Sequence, residues 1–170
     1  MKFLNNKHLS LTKILSFILF FTSFINLLSQ EAKPMLIGNY SWNKWIKETG
    51  WDNIEFLNYN PSKEKILNLK KLISNKNISF LIFGGSWCSD TKSELPKIFK
   101  IFSLCDMDTE KIEIIGVDRQ KYEPSGKSLL YQIEKVPTLI ILLENTEKGR
   151  ITEFPDISWE DDLIKILESE

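Results

Sequence analysis

Histidine is nearly missing from this 170-residue chain: there is one, His8. If the N-terminal stretch that carries it is removed, no imidazole remains. Ser-His-Asp and Cys-His catalysis are then excluded, and so is any histidine-ligated metal. Cysteine is scarce as well. Cys88 and Cys105 cannot make a disulfide scaffold, and they cannot close a four-ligand zinc site. Seven glycines and six prolines are too few for a collagen-like or low-complexity chain. Neither sign of charge dominates, with 22 Lys and Arg against 23 Asp and Glu, and no RNA-binding string of aromatics occurs, so nothing points to nucleic acid. What remains is a globular composition, 42% hydrophobic and 26% charged, at a length that suits one domain.

The N-terminus has its own pattern. Lys2, Lys7 and Lys13 precede an apolar run from Ile14 to Leu28, and no acid occurs before Glu31. A basic start, an apolar stretch and a small residue, Ser29, fit a secretory signal peptide over residues 1–29. The alternative is an uncleaved membrane anchor, although the run falls short of the ~20 apolar residues of a spanning helix. No cysteine ends the run, which argues against lipoprotein anchoring. The expected setting is extracytoplasmic, periplasm or cell exterior, where thiols meet oxidants. Contact with a membrane is expected only if the signal sequence stays attached.

Beyond it, residues 39–48 read as a short helix stopped by Gly50. Asn60-Pro61 reads as a cap and first helical position, followed by Ile66, Leu69, Leu72 and Ile73 at helical spacing. Ile78–Phe83 (ISFLIF) is a continuous apolar run, as in a strand covered on both faces. A helical pattern follows through Leu95, Ile98, Phe99 and Phe102. Strands are then expected at 112–117, 136–143 and 151–154, a short helix at 128–133, and a last helix capped by Ser158. Asp161 and Asp162 read as its solvated start, and Trp42, Trp45 and Trp51 as packing aromatics. The order α, α, β, α, β, α, β, β, α requires an α/β fold with a largely parallel sheet in its alternating part. The expected organisation is an N-terminal extension over 30–54 and one domain over 55–170.

The chemistry sits at Trp87-Cys88-Ser89-Asp90-Thr91, directly after the ISFLIF strand and a Gly84-Gly85-Ser86 turn, and before a helix. A cysteine at such a corner lies near unpaired backbone N–H groups and the positive end of a helix dipole, which favour the thiolate. Lys92 adds a positive charge and Asp90 opposes it. Thr91 with Glu94 fits a capping box; a helix starting there would leave Cys88 outside its first turn.

These residues resemble the thioredoxin family. Trp87-Cys88 matches the family's Trp-Cys at the head of its active-site helix, with Lys92 and Pro96 at the family's helix positions and Asp118 closing the next strand. Tyr131-Gln132-Ile133-Glu134-Lys135-Val136-Pro137-Thr138 is similar to the family segment whose cis proline faces the cysteine. The match spans about residues 78–168, and GGSWCSDTKSELP with GVDR and GRITEFP is similar to a subgroup of exported bacterial members. The resemblance implies a thioredoxin-like fold, a central mixed sheet flanked by helices. It also implies Cys88 as the catalytic thiol, Trp87, Thr91 and Lys92 as its supports, and Val136, Pro137 and Thr138 as the substrate-binding loop.

The sequence departs from the family at Thr91, where a dithiol site has its second cysteine. Exchange proceeds through a mixed disulfide that the second thiolate resolves. Threonine cannot do so; at most its hydroxyl could bond the Cys88 sulfur. Cys105 is no substitute, because seventeen positions along a helix span about 25 Å, against the ~7 Å limit between bridged Cα atoms. Ile82 stands where the family has a buried acid that moves protons. Two readings stay open: a monothiol disulfide exchanger served by an external thiol, with protein thiols or disulfides or glutathione as partners, and a module that binds peptides without turnover. No cofactor, no metal site and no nucleic-acid partner are expected.

Overall fold

The computed structural model describes residues 34–74 and 77–169. The leader-like stretch 1–29, and His8 within it, lie outside the described residues. Residues 35–170 form one compact unit. Its elements run β1 (Gly38–Tyr40), α1 (Trp42–Thr49), α2 (Ile54–Asn58), α3 (Lys63–Ser74), β2 (Ile78–Gly84) and α4 (Ser89–Leu104). A 3₁₀ turn (Thr109–Lys111) follows, then β3 (Ile114–Gly116), α5 (Lys127–Leu130), β4 (Thr138–Leu143), β5 (Thr146–Thr152) and α6 (Trp159–Glu168).

The fold is α/β, with a five-stranded sheet in the order β1-β3-β2-β4-β5 flanked by helices. The sheet is mixed, as the resemblance implied, and not largely parallel in its alternating part. β2 and β3 run parallel, joined through α4, while β1/β3, β2/β4 and β4/β5 are antiparallel. The alternating part makes one parallel crossover, through α4, but the segment through α5 returns β4 antiparallel to β2; β4 and β5, with no helix between them, form a hairpin through Glu144-Asn145, both at positive φ. Residues 38–49, read from sequence as part of an extension, supply this unit with an edge strand and a helix.

Period-two alternation divides the sheet's side chains. Ile82, Ile114, Leu139, Ile141 and Ile151 join Trp42, Trp45, Leu69, Phe99, Phe102, Trp159 and Leu163 in the larger core. Leu81, Phe83, Ile115, Ile140 and Leu142 join Val117, Ile133 and Val136 in a smaller one, against which Trp87, Cys88 and Tyr131 pack. Both faces of the central strands are therefore covered, as the unbroken apolar run of β2 requires.

Local chemistry sets the helix ends. Gly50 closes α1 at φ 62°, its N–H donating to Ile46, a conformation in which a Cβ is strained. Pro61 precedes α3, which begins two residues later, at Lys63. Ser158 caps α6, its hydroxyl accepting the Asp161 N–H. The two aspartates at that start are not a solvated pair. Asp161 holds Lys65 at 2.7 Å, and Asp162 is buried, accepting the Asp156 N–H at 2.6 Å.

Candidate functional site

β2 ends at Gly84, whose carbonyl accepts the Val117 N–H from the end of β3. The chain then turns within four residues, the Cys88 N–H donating to the Gly85 carbonyl at 2.9 Å. Glycine is required at 85: a Cβ there would lie 2.8 Å from the Trp87 ring, which folds over it. The indole is fixed from its far side as well, Nε1 donating to the Val117 carbonyl at 2.9 Å.

Cys88 is the N-cap of α4, with extended φ and ψ of −97° and 127°, and its carbonyl accepts the Lys92 N–H. The helix thus begins at Ser89, and the Thr91-Glu94 capping box does not form. Glu94 is buried and turned away, accepting Trp159 Nε1 at 2.9 Å and Lys97 Nζ at 2.7 Å. That pairing spares a buried indole donor and a buried carboxylate from standing alone, which outweighs the gain from a cap. The cysteine consequently stands at the head of the helix rather than a turn outside it.

The half-buried Cys88 sulfur lies 3.4 Å from the Val136 carbonyl oxygen, to which the thiol donates. The Val136–Pro137 peptide bond is cis. Val136, Pro137 and Thr138 are all buried. The Pro137 carbonyl accepts the Glu153 N–H at 2.7 Å, and the Thr138 hydroxyl donates to the Lys135 carbonyl at 2.7 Å. The loop therefore presents backbone to the sulfur, with its side chains turned into the protein.

Thr91 is fully buried behind the cysteine. Its hydroxyl accepts the Gly85 N–H at 3.2 Å, and its methyl fills the space beside Gly84. It braces the turn and is not bonded to the sulfur. The Lys92 side chain is exposed. Cys105 is buried at the far end of α4, its thiol pushed up to about 11 by burial, then by Asp106.

Two cations stand at this corner that the sequence does not mark as site residues, Arg119 reading only as a surface partner of Asp118 near the site. Arg119 lies 4.9 Å, and Lys121 5.7 Å, from the centre of the Trp87 ring. Asp118 places them, but not by pairing with Arg119: its carboxylate accepts the N–H groups of Gln120 and Tyr122 at 2.9 and 2.8 Å. An aspartate directly after a strand, followed by polar residues, was the available signal for such a self-bonded loop. Among the described residues no three His, Cys, Asp or Glu side chains are placed to hold a metal ion, and no helix is long and apolar enough to cross a membrane.

No protein-family model matches the chain, and no curated protein matches it. Among solved structures it is similar to a protein of unknown function from Pseudomonas aeruginosa, at 17% identity over 75% of this chain and 95% of that one, with a TM-score of 0.38. It is similar also to an HIV epitope-scaffold, at 18% identity over 76% of this chain and 98% of that one, with a TM-score of 0.39. Likenesses of that size bear on neither fold family nor activity.

Proposed function

We propose that this is a thioredoxin-like protein that exchanges disulfides through a single thiol, Cys88. The observation that carries the reading is the Cys88 sulfur at a strand-to-helix corner, 3.4 Å from the Val136 carbonyl in the loop before Pro137. A half-exposed sulfur at a helix start, beside backbone able to receive an extended substrate, suits attack on a disulfide. The signal-like residues 1–29 support work outside the cytoplasm, where substrate disulfides persist.

The chemistry has two balanced steps. The Cys88 thiolate attacks one sulfur of the substrate, a Cys88–S bond forms, the substrate S–S bond breaks, and the departing thiolate takes a proton from solvent. An external thiolate then attacks the substrate sulfur of the mixed disulfide. A new disulfide leaves, and Cys88 returns as thiolate. The second step falls to an external thiol because Thr91 has no sulfur and its hydroxyl is engaged with Gly85.

A second reading rests on the same Thr91. A site that cannot release its own adduct also suits a module that binds extended peptides by pairing with the Val136 backbone, whose N–H has no partner among the described residues. The deciding experiment incubates the purified protein with a model disulfide and glutathione and follows turnover. Catalysed exchange that disappears in Cys88→Ser supports the first reading. Absence of any adduct on Cys88, together with peptide capture that persists in Cys88→Ser, overturns it in favour of the second.

A further inference from the structure

We propose that Arg119 and Lys121 make the site selective for disulfides that carry a carboxylate close to the sulfur. The inference rests on the exchange reading of Cys88 and adds the class of substrate.

The loop is built to hold two like charges at one aromatic ring. Asp118 gives its carboxylate to two N–H groups of its own loop, and its carbonyl accepts the Lys121 N–H at 3.0 Å. Lys121 is thereby held at φ 65°, a left-handed conformation uncommon for a lysine. The result sets both cations over Trp87, the residue beside the reactive sulfur.

Neither cation is neutralised. Among the described ion pairs none involves Arg119 or Lys121, and the Lys121 ammonium donates to the Arg119 carbonyl instead. Two neighbouring cations repel, and a ring face offsets only part of that cost. An anion between them removes the repulsion. A guanidinium held at a ring face without an acid partner keeps N–H donors that fit a carboxylate through paired hydrogen bonds.

Lys121 also lines a groove of about 370 Å³, together with Tyr122, Leu129, Ile133 and Glu134, where the rest of a substrate could lie. Two sources share this chemistry: glutathione disulfide, and a cystine within an acidic peptide.

The test measures how fast Cys88 of the full chain forms a mixed disulfide, by intact mass, with anionic glutathione disulfide, neutral hydroxyethyl disulfide and cationic cystamine. Arg119→Gln and Lys121→Gln are compared with the wild type and with Lys148→Gln, a change on β5 away from Trp87. The expected result is a preference for glutathione disulfide over cystamine that falls about two- to fivefold in each loop variant. It should weaken with added salt and stay unchanged in Lys148→Gln. Reaction with all three disulfides in ratios that neither loop variant alters would overturn the proposal while leaving exchange intact. No reaction with any of them would overturn the exchange reading itself. A matched pair of cystine peptides, acidic and basic, separates the sources: a wider acidic-to-basic ratio than that between glutathione disulfide and cystamine identifies the peptide.

Discussion

The thiol of Cys88 and the carbonyl of Val136 stand 3.4 Å apart, although 48 positions of sequence separate them. One caps α4 and the other ends the loop before β4. Their meeting depends on β2 and β4 lying side by side, with Phe83 opposite Thr138. The chemistry proposed here requires that pairing.

The two cysteines should differ sharply in reactivity. Cys105 is buried and its thiol is pushed up to about 11, so little thiolate forms near neutrality. Iodoacetamide at pH 8 should add one label to the native protein, at Cys88, and two in denaturant. Peptide mass mapping checks this, and rapid native labelling of Cys105 would contradict it.

Thr91→Cys should convert the site to a dithiol one. Position 91 lies one turn into α4 from Cys88, so a sulfur there can attack a mixed disulfide on Cys88. We expect release of a bound glutathione without external thiol, read as loss of the adduct in intact mass. Losing the hydroxyl that accepts the Gly85 N–H should cost about 1 kcal/mol of stability, measured by denaturant unfolding.

Glu94→Ala should destabilise the fold more than a surface change does. It leaves the buried Trp159 indole N–H and the Lys97 ammonium without their acceptor. A loss of about 2 kcal/mol is expected, visible as a lower Tm. Glu94→Gln, which keeps an acceptor, should recover part of it.

Stability should fall in acid partly through Glu123. This carboxylate is buried, which by itself would raise its pKa, but hydrogen bonds from Ser125 and Ser128 outweigh burial and hold it below the usual range. A folded-state value below the unfolded one gives stabilisation that is complete above the ordinary glutamate value of about 4.3. It is lost as pH falls through the depressed folded value. Denaturant midpoints measured across this acid range should flatten in Glu123→Gln; an unchanged acid slope would remove Glu123 from the account.

Several elements were legible one at a time. ISFLIF announces β2 because a strand with both faces covered has no polar positions to interrupt it. Ser158 and the acids after it announce α6. β5 is mostly hidden in the sequence. Its sequence TEKGRIT belongs to an edge strand with only Ile151 buried, so it lacks an apolar run, and the strand starts five residues before the expected 151. β1 is overrun by the helical pattern of 39–48 because three residues carry no readable period. α2 was invisible for a related reason: none of its residues is buried.

The candidate site divides in the same way. Residue order alone determined that a lone cysteine stands between a buried strand and a helix, that Thr91 takes the place of a second thiol, and that Val136-Pro137 follows later. Those are properties of neighbours along the chain. Only the tertiary structure decided that Glu94 serves Trp159 instead of the helix cap, that Thr91 braces Gly85, that one strand pair alone is parallel, and that Arg119 and Lys121 stand over Trp87. The first two are settled by which distant groups leave the fewest buried polar atoms unpaired, the others by how remote segments pack, and no local period records either.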